Sequence, residues 1–109
     1  MANTFKLKTK ANVGVTTVGI YTAPAATTTV VIGITMANTS GSGVNVGVGI
    51  TRAGTTEDVK LLKNAPIPSG SSLEFMSGNK IVLESTDTVK VDSDTNNSVD
   101  ASLTIMEIT

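Results

Sequence analysis

The sequence predicts an all-β chain: a single-domain antiparallel β-sandwich, of jelly-roll or immunoglobulin-like type, with eight or nine short strands over residues 1–109. Three observations carry that expectation. Thr, Val, Ser, Gly and Asn dominate the composition, and the first two suit a pleated surface while the others suit tight turns. Apolar and polar residues alternate with period two in segment after segment, which places one set on each face of a strand. Turn clusters rich in Gly, Ser, Asn and Asp separate those segments at short intervals. At 109 residues the chain makes one modest core, and with 39% hydrophobic but only 3% aromatic residues that core is built from Val, Ile, Leu, Met and Ala.

The elements follow in order. "TFKLKTK" alternates, with Phe5, Leu7 and Thr9 on one face and Lys6, Lys8 and Lys10 on the other. Residues 1–10 read as an N-terminal edge strand or an arm that adds to a neighbouring subunit's sheet. "GVTTVGIYT" is a second strand, ended by Ala23-Pro24. "TTVVIGITMAN" is the strongest, with Val30, Ile32, Ile34 and Met36 on one face and Val31, Gly33, Thr35 and Ala37 on the other. The turn "NTSGSG" leads into "VNVGVGIT", whose Val44, Val46, Val48 and Ile50 oppose Asn45, Gly47, Gly49 and Thr51. A short Gly/Ser loop between two such strands predicts a β-hairpin. Gly47 and Gly49 leave one face nearly bare, open either to solvent or to the close approach of a backbone or a subunit.

"EDVKLLKN" is too short and uncapped for a helix and is read as a strand. Next comes "APIPSGSSLEF", in which Pro66 and Pro68 lack backbone donors and hold φ near −65°. Such a segment is extended, stays out of a sheet centre and reads as a rigid crossover. "PIP" lacks the P-x-x-P spacing of proline-rich ligands. "SLEFM", "KIVLE", "TVKVD" and "VDASLTIMEI" complete the set, with "MSGNK", "STD" and "SDTNNS" between them. In the last, Val99, Ala101, Leu103 and Ile105 face one way and Asp100, Ser102, Thr104 and Met106 the other.

Composition excludes several functions. A formal net charge of −1 gives no basic excess for nucleic acid. Without Cys there is neither a disulfide framework nor a thiol nucleophile, and without His the commonest general base is missing. The start "MANTFKLKTK" is polar and basic with no apolar stretch behind it, so no secretion signal is expected. No apolar run approaches the roughly 20 residues that span a bilayer, and no membrane partner is expected.

Few constellations suggest chemistry. In "DSDTNNSVD", Asp92, Asp94 and Asn96 match the first three ligand positions of a calcium loop. Asn97 then stands where that loop needs Gly, and Leu103 where it needs Glu, so an ordinary turn is the reading and no metal is assigned. Glu57, Asp58, Glu74, Glu84 and Asp87 offer no marked pair of facing carboxylates and read as solvated surface charge. Phe5, Tyr21 and Phe75 are the whole aromatic supply, which weakens a sugar-binding platform. Lys6, Lys8 and Lys10 form the one basic row, suited to an acidic partner or to guarding an edge strand against unwanted pairing.

The order "FKLKT", "TTVVIGITMANTSG", "PIPSGSSLE", "KIVLE", an acidic turn and a terminal "VDASLTIMEI" resembles small virion structural proteins of tailed bacteriophages, closest to those of phages infecting marine cyanobacteria. The resemblance covers most of the chain and rests on the order of pieces, since no single motif is specific. It implies a non-enzymatic, cofactor-free subunit present in many copies in the virion, assembled in the host cytoplasm. Its expected partners are copies of itself, with trimers natural at quasi-threefold capsid sites, and the major capsid, neck or tail proteins. The position is capsid decoration or a neck or tail accessory. The alternative is a host-surface or carbohydrate-binding module. The candidate partner-contact positions, Lys6, Lys8, Lys10, Gly47 and Gly49, come from the residue pattern and not from the resemblance.

Overall fold

The computed structural model describes residues 3–54, 57–75 and 80–109, without the side chain of Phe75. Nine strands appear among them, and no helix: β1 (Asn3–Val13), β2 (Val18–Thr22), β3 (Thr28–Asn38), β4 (Val44–Thr51), β5 (Asp58–Ile67), β6 (Ser72–Phe75), β7 (Ile81–Leu83), β8 (Thr88–Ser93) and β9 (Val99–Ile108). The predicted segments and the observed strands agree closely. The "MSGNK" turn falls largely on residues 76–79, outside the described residues.

All pairings are antiparallel and make two sheets, one ordered β1-β9-β3-β6 with β7 also on β3, the other β2-β8-β4-β5. β6 pairs with Ile34–Ala37 and β7 with Thr29–Val31 of the same β3 edge, so the two act as halves of one interrupted strand. Counted that way, the first strand pairs with the last, the second with the second-last, and so on inward to the β4–β5 hairpin. That is a long antiparallel ribbon rolled into two layers, the jelly-roll arrangement. Of the two sandwich types expected, this is the one formed.

The rolled ribbon corrects the hairpin expected between β3 and β4. The two strands lie in different sheets, and residues 39–43 carry the chain across the end of the sandwich. Asn38 is 3% exposed and fixes this crossing. Its Nδ2 donates to the carbonyls of Ser42 and Ile67, both at 2.9 Å, and its Oδ1 accepts from Ser40 N at 2.9 Å. Both strands also have partners on each side already, so neither edge is left for pairing with the other.

The core lies between the sheets and is almost wholly aliphatic. Val31, Ile34, Met36, Leu103 and Ile105 come from one layer, Val46, Val48, Val89 and Val91 from the other, all near 1% exposed. The alternation read for β9 and for the β4 valines holds. That of β3 does not. Pairing with β9 slips between Val31 and Gly33, so Ile32 is the extra residue of a bulge. The bulge resets the phase: Thr29, Val31, Ile34 and Met36 point inward, while Val30 and Ile32 are left half-exposed.

β5 is an edge strand of its sheet, and its last residues are Ala65, Pro66 and Ile67. An edge is where a proline's missing donor costs least. Beyond it, Ser71 N bonds Pro68 O at 3.1 Å and Gly70 takes φ 75°, and the chain passes to β6 in the opposite layer. The expected crossover between sheets is present.

Candidate assembly surface

β1 is an edge strand, held on one side by β9 from Asn3↔Ile108 to Val13↔Val99. Its lysines pair with Ile105, Leu103 and Ala101, which all face the core, so the Lys row looks toward the gap between layers. Lys6 is spent there: its Nζ lies 2.9 Å from Glu107 Oε1. Lys8 Nζ sits 6.0 Å from the centroid of the Tyr21 ring, the outer limit for a cation–π contact.

Glu107 is only 6% exposed. Tyr21 donates its hydroxyl to Glu107 Oε2 at 2.6 Å, and Thr29 Oγ1, 2.7 Å from the same hydroxyl, is left to donate to it. The Tyr21 and Lys6 donors outweigh the effect of burial and hold the Glu107 carboxyl below its ordinary range. Burial, followed by the hydrogen bond to Glu107, pushes Tyr21 up to about 12. These four side chains form a polar plug joining the two layers behind β1.

A second tie closes another part of the sandwich and corrects the reading of Asp87 as solvated charge. Asp87 is 2% exposed. It accepts from the backbone N–H of Ala53 at 2.8 Å and of Glu84 at 3.0 Å, and Arg52 Nε lies 3.2 Å from it. Burial pushes its carboxyl up, but those donors and the guanidinium together win and hold it below the usual carboxylate range. Arg52 Nη2 also reaches Glu84 at 2.7 Å. The four groups pin the turn after β4 to the turn before β8. Sequence showed only an Asp in an "STD" turn, with no sign of its partners.

The calcium-like triplet does not converge. Asp92 Oδ2 accepts from Thr17 Oγ1 at 3.2 Å, Asp94 Oδ1 from Asn45 N at 3.1 Å, and Asn96 Oδ1 from Val15 N at 3.3 Å. Each oxygen thus serves a different neighbouring segment. Asn97 itself takes φ 53°, supplying the left-handed step for which a calcium loop uses Gly. Among the described residues no three acidic side chains gather into a metal-sized cluster.

The space above Gly47 and Gly49 is occupied by the chain's own atoms. A Cβ on Gly47 would lie 2.5 Å from Asp92 Oδ1 and 3.3 Å from Leu62 O, and one on Gly49 would lie 3.0 Å from Val59 O. The approaching backbone allowed for in the sequence belongs to β5, whose register slips twice against β4 here.

The surface that sequence reasoning missed is the outer face of the β1-β9-β3 sheet. Register places Phe5, Met106, Val30 and Val82 in one row across four strands. Leu7 and Ile108 flank it, and the bulge adds Ile32. Phe5 is 69%, Leu7 64% and Val82 58% exposed. A contiguous apolar patch of this kind on a single chain marks an interaction site. The signal was present in "TTVVIGITMA", which is apolar on both faces of its strand.

No family model matches the chain, and no curated protein matches it. Solved structures do resemble it. A protein of the Bacillus endospore appendages, a family of disulfide-linked pili, superposes with a TM-score of 0.57 at 15% identity, over 99% of this chain and 87% of that one. A chain of the infectious bursal disease virus particle superposes with a TM-score of 0.60 at 13% identity, over 96% of this chain and 30% of its own. A mutant VP2 protein of the same virus, from derived T=1 particles, gives 0.58 at 15%, over 95% and 31%. The chain therefore spans about a third of the viral proteins it matches. At these identities the likeness is one of fold.

Proposed function

We propose that this chain is a non-catalytic structural subunit of a virus particle, and within that class a capsid decoration or a neck or tail accessory of a tailed bacteriophage. The observation that carries the reading is the jelly roll itself, matched almost end to end by subunits of assembled particles and filaments. The side chains support it. Of the nine carboxylates in the chain, Glu107, Asp87, Asp92 and Asp94 are engaged in tying layers and turns together. With no Cys in the chain, linkage by disulfides as in the spore pili is not open to it. Assembly here rests on non-covalent surface complementarity, which symmetric packing of identical copies amplifies.

The test is composition. Particles purified from a lysate of the virus that encodes this chain would contain it in stoichiometric, multi-copy amounts by quantitative mass spectrometry. Its absence from washed, infectious particles would overturn the proposal.

A further inference from the structure

The outer face of the β1-β9-β3 sheet holds two complementary halves. One end carries the protruding apolar rows, Phe5 and Leu7 foremost. The other carries small residues, Thr9, Ala11, Thr35, Ala37 and Ser102 beside Asp100, around a shallow hollow of about 330 Å³. Both halves lie on the same three strands, six to seven residues apart along each: Phe5 and Ala11 on β1, Val30 and Ala37 on β3, Met106 and Asp100 on β9.

From this we propose that the face is the self-association surface of the protein and that its occupant is a second copy of the same face, turned end for end. A two-fold axis over the row Lys8–Leu103–Ile34, perpendicular to the strands, brings each protruding row over the partner's hollow. Phe5 then meets Ala11 and Val30 meets Ala37. Gly33, where an added Cβ would find nothing within 4 Å, lies opposite the partner's Thr35. Sheets packed face to face cross at about 30°, so the match is tightest at β9, the middle strand. The apolar rows carry no charged side chain, while the receiving hollow is edged by Lys10 and Asp100, and Asp100, which comes opposite the partner's Met106, accepts from Asn12 N at 3.0 Å. β1, β9 and β3 at ten or eleven residues each, with the short β6 and β7 beyond β3 and strands about 4.8 Å apart, cover roughly 600 Å². That is close to the lower end of what each partner buries in a stable interface. A face bearing both the projection and the cavity that receives it fits a copy of itself better than an unrelated surface.

The inference deepens the assembly reading and rests on it. Its test uses the whole 109-residue chain. Sedimentation equilibrium over a wide concentration range is run on wild type, on Leu7→Lys and on Val15→Lys, the last an exposed apolar residue away from this face. Wild type and Val15→Lys are expected to dimerise, while Leu7→Lys raises the dissociation constant on the order of tenfold or more. Because the chain has no native Cys, a short bismaleimide reports proximity directly. A mixture of Phe5→Cys and Ala11→Cys is expected to cross-link into dimers that neither variant forms alone. A wild type that stays monomeric at every concentration overturns the proposal, as does association that Leu7→Lys leaves unchanged. So does cross-linking of Phe5→Cys to itself. If a monomeric wild type still binds purified particles, the self-association face fails and the assembly reading survives. If the face dimerises but the chain is absent from particles, the reverse holds.

Discussion

Replacing Tyr21 by Phe removes one oxygen from the plug behind β1 and leaves the ring in place, so no cavity opens. Glu107 Oε2 loses a donor at 2.6 Å and keeps Lys6 on its other oxygen at 2.9 Å. Thr29, with 0% exposure, loses the acceptor of its hydroxyl. A hydrogen bond to a charged group contributes about 1.5–3 kcal/mol, and a stranded buried hydroxyl adds about 1. The Lys6 side chain is 42% exposed and swings with solvent, which returns part of that loss. The net expectation is about 2–3 kcal/mol, or roughly 10–20 °C in Tm for a domain of this size.

The pH dependence identifies the cause. Tyr21 is raised from 10.0 to about 12 on folding, so its contribution is complete below pH 10 and is lost as pH climbs toward 12. Glu107 is lowered from 4.5, so its contribution is present above that value and disappears as pH falls through the folded-state value. Tyr21→Phe removes the alkaline loss outright and, by deleting the largest cause of the Glu107 shift, flattens the acid one. Thermal melts of both proteins from acid to alkaline pH measure all of this. A variant melting within a degree or two of wild type, with the same acid and alkaline limbs, would refute the plug as a stabilising device.

Other expectations follow from the same geometry. Asp87→Ala strands two backbone donors and the Arg52 guanidinium, and urea unfolding should show a loss of about 3 kcal/mol that shrinks at acid pH, where Asp87 is protonated in wild type as well. Gly47→Ala drives its Cβ into Asp92 and should cost about 1–3 kcal/mol. Adding Asp92→Ala should restore a good part of that, a coupling readable from a double-mutant cycle. Asn38→Ala leaves the Ile67 and Ser42 carbonyls without their donor and should lose about 2 kcal/mol, with faster amide exchange over residues 39–43.

Local pattern revealed the strands and much less of their arrangement. β9 was readable to the residue because it runs ten residues without a bulge, so period two survives to its end. β3 was readable as a strand but not in its facing, since one extra residue at Ile32 inverts everything before it and no side chain announces a bulge. The β3–β4 connection looked like a hairpin because loop length and Gly/Ser content are local, whereas the sheet a strand joins is settled by distant partners such as β8 and β9. The prolines of β5 were informative for the opposite reason: a missing donor is a property of the residue itself and restricts it to an edge.

The same division applies to the surface. Alternation separated Phe5 and Leu7 from the lysines, yet hydrophobicity alone would send them inward. In the fold they point outward: the register of β1 on β9 sets Lys6, Lys8 and Lys10 opposite the inward Ile105, Leu103 and Ala101, and Lys6 meets Glu107 there. Asp87 and Glu107 owe their burial to partners 35 and more positions away, Arg52 and Lys6, so neither was visible as a structural group in the chain. The pattern at Gly47 and Gly49 left a solvent face and a close approach equally open, and in the fold Asp92 and β5 make the approach.

The most direct test of the central claim is to locate the chain in the particle. On the proposed reading, a reconstruction of the particle to which the chain is assigned, at a resolution that traces strands, is predicted to show this two-layered jelly roll repeated over it, each copy in contact with structural proteins. A well-resolved virion whose capsid, neck and tail densities are all accounted for by other chains would contradict the account.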